Sequence, residues 1–540
     1  MSWPPTGGTE VVRRHEMRIV VECSIGVEPA ELSAAVAGVL DGVLTDWHAM
    51  PLLRGRDTIW MISGQTAERV GTAEYAKVAH TLVQRVIERP VMLRAEADMP
   101  VRPRGDADDG GLSSPTDLAE CPPGSEVLLW SLGAVRAAEA WALPVPPGGA
   151  ARGAGVVIGH PDTGYTLHPN LAPALDLTRD RDILDDDDDA LDPLPGVEAS
   201  PWLVSFPGHG TKTASVIVGR EAGGIGGVAP DAALVPIRTA LSVIQLFDSD
   251  VARAVEYART IGCHVITLSL GGKGFFGLEQ AIQDAVDAGI IVLAAAGNQV
   301  GIVVAPASYP NCLAVAATGV DDQPWPASSR GSMVDVSAPG WCVWVAGFRW
   351  EDEGPAFAVV PETGTSYAVA QVAGVAALWL GRHGPAAVRE RYGPRVQAAF
   401  LHLLRTVSRV PVGWDATQWG AGVVDAAAML SAPLPEISDL GDDGAPGDPP
   451  ASAYVRLGGL VNLHGAEFHG AMARRMGIDG EDLHRTVTRF EGELAFHLLE
   501  EPAFRAYLLG SGSADAAARE AHASSSPEFA VVFLGGGAAV

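Results

Sequence analysis

The feature that most constrains this chain is an alternation. From about residue 126 to 431, short apolar runs trade places with amphipathic stretches. The runs are Gly155–Ile158, Ala233–Ile237, His264–Leu270 and Ile290–Ala296; the helical stretches include Asp250–Thr260 and Leu278–Ala288. Strands that are apolar on both faces belong to sheets covered on both sides. The alternation therefore predicts an α/β unit, a mostly parallel sheet with helices on both faces. Open sheets of this kind build their sites beyond the carboxyl ends of the strands.

The flanks read differently. Within residues 1–100, Arg18–Cys23, Thr58–Ile62 and Val91–Ala97 read as strands. Pro29–Val43 and Glu74–Glu88 carry apolar residues at helical spacing, and Pro90 stops the second. The order β-α-β-(β)-α-β suggests a small α+β, ferredoxin-like domain. Residues 101–125 and 432–453 are rich in Pro, Gly and Asp and read as linkers, bracketing the unit at 126–431. Residues 454–540 form a mainly helical accessory region, with 511–529 expected to be loose and Phe529–Leu534 a terminal strand.

Composition excludes some functions. A formal net charge of −28 argues against nucleic acid as a partner, since phosphate binding needs a basic face. There is no apolar run of 18 or more, so no membrane-spanning helix is expected. The N-terminus lacks an apolar core and a small-residue cleavage site, so no secretory signal is read. The five cysteines (Cys23, Cys121, Cys263, Cys312, Cys342) are scattered and form no CxxC pair. That argues against a zinc site and a disulfide framework. A reduced, cytoplasmic setting is expected, with secretion open if translation starts upstream.

Four motifs carry chemistry. Asp162 ends the apolar run Val156–Ile158 within His160-Pro161-Asp162-Thr163-Gly164, where a carboxylate can orient a histidine. The plain alternative is a turn cap. His209 lies in Gly208-His209-Gly210-Thr211, at a helix start, where an imidazole can act as general base. A surface histidine in a Gly-rich turn reads equally well. Asn298 follows Ala294–Gly297 at the end of a strand, where its amide can donate to an oxyanion. It also suits a tight turn. Ser366 lies in Gly364-Thr365-Ser366-Tyr367-Ala368, opening a helix of small residues; a serine there is also an ordinary N-cap.

Together the motifs run Asp…His…Asn…Ser, and in that order they resemble the subtilase family, the S8 serine peptidases. Gly226–Pro230, His264–Gly272 and Ala307–Pro310 add to the resemblance, which covers about residues 126–431. It implies a triad of Asp162, His209 and Ser366, with Asn298 and the Ser366 amide as oxyanion hole. It implies that Ser269, Leu270 and Gly271 pair with an extended substrate backbone. Ala295, Gly297 and Val304 would border the S1 pocket, favouring small to medium apolar side chains at P1. Two positions depart from the family: Lys212, where His or Arg is common, and Ala370-Gln371, where Pro-His is usual.

The resemblance also implies that the first domain, with its stretch Arg94–Val101, is an inhibitory propeptide of a self-inhibited precursor. No cofactor is expected. Calcium is possible for the family but traceable to no residue; Asp185–Asp189 reads as a solvated acidic loop. No metal site is expected: His464, His469, His484 and His497 lack a zinc spacing. The expected partners are protein or peptide substrates, and no membrane. Two rivals stand beside the peptidase reading. One is a catalytically silent pseudoprotease that binds extended peptides. The other is an α/β-hydrolase-type esterase, whose Asp and His would have to follow the serine.

Overall fold

The computed structural model describes residues 15–101, 121–194, 206–221, 223–244, 247–351, 354–440 and 452–534. The stretch through Arg14, most of the first expected linker, half of the second and the Gly-rich tail lie outside the described residues.

The N-terminal module runs β1 (Glu16–Cys23), α1 (Pro29–Leu40), β2 (Thr45–Leu53), β3 (Arg56–Gln65), α2 (Ala73–Ile87) and β4 (Met92–Asp98). Its four strands pair antiparallel in the order β2-β3-β1-β4. The sequence left β2 unresolved because its Asp46, His48 and Pro51 break the apolar pattern; it is an edge strand, where such residues are tolerated. Alternation along β1 divides the module's faces. Ile19 and Val21 meet α1 and α2, while Val20 meets the next module.

The central module holds β5 (Val157–Asp162), β6 (Arg181–Asp182), α3 (His209–Val218), β7 (Ala233–Arg238), α4 (Asp248–Thr260), β8 (Val265–Leu268) and α5 (Phe276–Asp287). It continues with β9 (Ile291–Ala295), β10 (Leu313–Thr318), β11 (Val336–Pro339), the hairpin β12 (Val343–Glu351) and β13 (Gly354–Glu362), and α6 (Thr365–His383). Seven strands form a parallel sheet in the order β11-β10-β9-β8-β5-β7-β6. One face packs on α3 and α6, the other on α4 and α5. Helix α6 is buried from Thr365 to Gly381, and its small residues allow this. A Cβ on Gly374 would stand 2.5 Å from Val228 Cβ, far inside contact distance.

The C-terminal region is helical: α7 (Ala453–Gly459), α8 (Gly465–Met476), α9 (Gly480–Arg489), α10 (Glu491–Glu500), α11 (Pro502–Leu508), α12 (Ala514–Ala521) and α13 (Pro527–Phe533). Two expectations fail here. Residues 514–521 form a capped helix, not a loose stretch: Ser513 Oγ accepts from Ala516 N at 3.2 Å. Phe529–Leu534 is not a strand either. Ser526 caps α13 with Pro527 at its first turn, and Phe529, Ala530 and Phe533 bury one helical face. That start signal was present in the sequence and outweighs the short apolar run.

The N-terminal module shares one apolar core with the C-terminal helices. Its sheet also packs through Val20, Leu52, Leu53, Ile59 and Met61 on α4 and α5. A buried ion network spans all three parts. Arg94 of β4 pairs with Glu491 and Glu96; Arg456 of α7 pairs with Glu491 and, at 2.6 Å, with Glu279 of α5.

The cysteine expectation is also corrected. Cys121 and Cys342 are bonded across a separation of 221 residues, while Cys23, Cys263 and Cys312 are buried thiols. An odd count and wide spacing concealed the pair, because connectivity follows from the fold and not from spacing. No described helix is long and apolar enough to cross a membrane.

Candidate active site

The site lies where β5, α3, β9 and α6 meet. Asp162 is the last residue of β5 and fully buried. Its Oδ1 accepts from Thr163 N (2.7 Å) and from His209 Nδ1 (2.8 Å). Its Oδ2 lies 3.3 Å from Thr213 Oγ1 and 3.7 Å from His160 Nε2. Burial pushes the Asp162 carboxyl up, but His209, His160 and the Thr163 N–H outweigh it and hold the pKa below the usual carboxylate range. Burial lowers the His160 pKa.

His209 opens α3, flanked by the rings of Phe206 and Tyr367, each 6.2 Å away. The flanking glycines are required. Gly208 sits at φ 71°, the left-handed region. A Cβ on Gly210 would lie 2.1 Å from the Gly164 carbonyl oxygen, so a side chain there would push α3 off the Asp162 turn.

Asp192, which sequence reasoning missed, holds that contact together. Its Oδ2 accepts from Thr163 Oγ1 (2.7 Å) and Gly208 N (2.8 Å), while Gly210 N donates to Thr163 Oγ1 at 3.0 Å. The Asp162 turn and the His209 turn are thus bound through one buried carboxylate. It follows the acidic loop with no periodic cue. The loop itself is engaged by arginines: Arg181 pairs with Asp186 and Asp188, and Arg238 pairs with Asp182 and Asp185.

Ser366 is the second residue of α6, next in sequence to Tyr367, whose ring lies 6.2 Å from that of His209. Its hydroxyl donates to the Ser269 carbonyl at 3.3 Å, and Ser269 Oγ donates to the Ser366 carbonyl at 3.1 Å. Asn298 caps α6 from across the sheet. Its Oδ1 accepts from Thr365 N and Thr365 Oγ1, both at 2.9 Å. Because a backbone N–H can only donate, these bonds fix which end of the amide is oxygen. Nδ2 is thereby set beside the turn, 3.4 Å from where a Gly364 Cβ would stand.

Val304 lies between the two expected substrate segments. Its N–H donates to Ala296 O at 3.0 Å. A Cβ on Gly271 would meet its Cγ2 at 2.4 Å, and one on Gly297 at 3.2 Å. Ala295 ends β9. Leu270 is buried in the core, so only its backbone is offered to a ligand. Lys212 pairs with Glu362 at the end of β13, tying α3 to the hairpin. Gln371 is buried, and among the described residues neither of its amide atoms has a partner.

Known proteins resemble this chain in sequence and in fold. The sequence profile of the subtilase family, peptidase S8, matches residues 153–409. Thermitase of Thermoactinomyces vulgaris is 33% identical over 297 residues, spanning 54% of this chain and 92% of thermitase. Mycosin-1 of Mycobacterium tuberculosis is 31% identical over 314 residues, spanning 44% of this chain and 68% of mycosin-1. The crystal structure of fervidolysin from Fervidobacterium pennivorans covers 80% of this chain and 65% of its own, with a TM-score of 0.54 at 20% identity, a likeness of fold. The chain belongs to the subtilase family. It is a subtilisin-like serine endopeptidase, a hydrolase whose substrates are proteins or peptides.

Proposed function

We propose that Ser366 is the nucleophile, His209 the general base and Asp162 the residue that orients it. The observation that carries this is the 2.8 Å Asp162–His209 hydrogen bond, formed at the start of α3 beside the helix that presents Ser366. With Nδ1–H bound to the carboxylate, His209 Nε2 is left free to accept a proton. Ser366 Oγ attacks the scissile carbonyl carbon as its proton passes to His209. The carbonyl oxygen becomes an oxyanion, which Asn298 Nδ2 and the Ser366 amide stabilise. His209 then protonates the leaving amine, the C–N bond breaks, and water hydrolyses the acyl-enzyme by the same route. A fluorophosphonate probe tests the assignment. Labelling that disappears in Ser366→Ala is expected.

One observation favours a silent, peptide-binding relative: the Ser366 hydroxyl is turned to Ser269 O. A hydroxyl rotates freely, and catalytic hydrogen bonds often tighten only with substrate bound. No labelling after removal of the N-terminal module would favour that reading.

The chain is also proposed to be a precursor inhibited by its N-terminal module. The module covers α4 and α5 and caps α4. Asp98 accepts from Asp248 N (2.9 Å) and Ser249 N (3.2 Å), and Arg18 pairs with Asp250 at 3.0 Å. Intact masses of wild type and Ser366→Ala that differ only by the serine oxygen would exclude self-processing. The Cys121–Cys342 bond argues for an oxidising compartment.

A further inference from the structure

His497 lies fully buried on α10, and the fold brings His80 of α2 against it, with ring centroids 5.9 Å apart. We propose that His80, Glu493 and His497 form a binding site for a transition metal ion, with zinc the best match, which joins the N-terminal module to the C-terminal helices.

The donor geometry is close to what zinc requires. One ligand atom from each residue lies within 4.8 Å of the others. Glu493 Oε1 stands 3.8 Å from His80 Nδ1 and 3.8 Å from His497 Nε2. Bonds of about 2.0–2.1 Å in a tetrahedron put donors about 3.3–3.4 Å apart, so the two Glu493 distances close by a few tenths of an ångström, and the His80 and His497 nitrogens, within 4.8 Å of each other, by up to about 1.4 Å. Both nitrogens are hydrogen-bonded, His497 Nε2 with Ser525 Oγ at 3.1 Å and His80 Nδ1, as donor, to the Ser524 carbonyl at 3.0 Å, so an ion bound there moves the His80 proton to Nε2. Two imidazoles with one carboxylate suit zinc and its neighbours, not calcium or magnesium, which take oxygen ligands.

The surroundings support the ligands. His497 gives its other nitrogen, Nδ1, to Glu501 at 2.6 Å. That is the carboxylate–histidine arrangement that orients metal-bound imidazoles. Glu501 is itself held by Ser524 Oγ at 2.7 Å. Glu493 is fixed by Ser526, whose N–H and hydroxyl donate to its two oxygens at 2.6 and 2.8 Å. His80 Nε2, the nitrogen not offered to the ion, is buried without a partner among the described residues.

Charge points the same way. Glu493 and Glu501 bring two buried carboxylates against two imidazoles, a charge that a dication cancels. The further cation acting on His80 is Lys273, which lies 3.7 Å from Glu96. A cavity of about 210 Å³ between the two parts is lined by Tyr75, Ala76, Met99, Pro100, Glu501 and Ser524. Solvent comes as near as Glu501 and Ser524, which bond the two histidines, while the three ligands themselves do not line the cavity.

The test uses the full chain carrying Ser366→Ala, stripped with chelator and dialysed. Zn²⁺ binding is followed by calorimetry, and Co²⁺ is used as an optical probe. One equivalent of Zn²⁺ per chain is expected, with visible Co²⁺ bands of a four-coordinate site. His80→Gln and His497→Gln should each lose the ion. Glu501→Gln should weaken binding about 10–100-fold, and His469→Gln, at the protein surface, should not. No stoichiometric uptake by the unmodified site, a six-coordinate Co²⁺ spectrum, or full uptake by folded His80→Gln would each overturn the proposal. The first two results do not depend on any variant folding.

Discussion

Asn298→Ala is the most discriminating change available at the site, because the side chain has two separable jobs. Its Oδ1 caps α6 by accepting from Thr365 N and Oγ1, and its Nδ2 is the proposed oxyanion donor. Losing the cap costs stability of about 1 kcal/mol, the usual value for a helix N-cap. Losing the donor acts on the transition state alone. A side-chain donor in a water-poor site contributes about 2.7–4 kcal/mol to an oxyanion, a range measured on subtilisin itself, so turnover should fall about 10²–10³-fold. KM should hold, because the oxyanion exists only after attack. Thr365→Val removes one of the two bonds that aim the amide. At about 0.5–1.5 kcal/mol for a neutral hydrogen bond, it should slow turnover about 2–10-fold. The assay is hydrolysis of a chromogenic peptide amide by enzyme freed of its N-terminal module, with melting temperature measured in parallel. A drop in melting temperature with turnover within about threefold of wild type would leave Asn298 a cap and refute the oxyanion role.

Four further outcomes are expected. Replacing Cys121 and Cys342 with serine, which opens a loop of 221 residues, should destabilise the central module by up to about 5 kcal/mol; an unchanged melting temperature would contradict this. Arg456→Met leaves Glu279 and Glu491 buried and short of a partner, and should cost about 3–5 kcal/mol, seen as proteolytic release of the C-terminal helices. Burial and then the Asp98 carboxylate raise Asp248 to about 7, and Asp98 is raised as well. A raised carboxyl stabilises the docked state below its ordinary pKa and loses that contribution as pH rises through the shifted value. The N-terminal module should therefore hold less tightly at about pH 8 than at about pH 5, and Asp248→Asn should flatten the profile of melting temperature against pH. Val304 fills the space between Gly271 and Gly297, so Val304→Gly should shift P1 preference from small apolar toward aromatic side chains in a peptide library; an unchanged profile would move the pocket elsewhere.

Much of this molecule is written locally. Strands such as Ile291–Ala295 are continuous apolar runs because the sheet is covered on both faces. Asp162 ends a strand, while His209 and Ser366 open helices, and turn chemistry marks each position along the chain. Local pattern was therefore enough to pick out the parallel sheet and the Asp162–His209 pair, which the fold joins by a hydrogen bond. It failed at Phe529–Leu534, where a short apolar run reads as strand or helix and only the Ser526-Pro527 start distinguishes them.

What local pattern could not hold is anything that depends on two distant segments meeting. Asp192 binds the Asp162 and His209 turns together with no signal of its own. The Cys121–Cys342 pair, the Arg94–Glu491–Arg456–Glu279 network and the approach of His80 to Glu493 and His497 all join residues far apart in sequence. The physical reason is common to them. Strand and helix signals arise from periodic burial along one segment, whereas a disulfide, a buried ion pair or a metal site arises from the packing of separate segments. The sequence by itself determined the elements and the order of the chemical groups. Only the tertiary structure decided that the first and last parts of the chain share a core and bring their histidines together inside it.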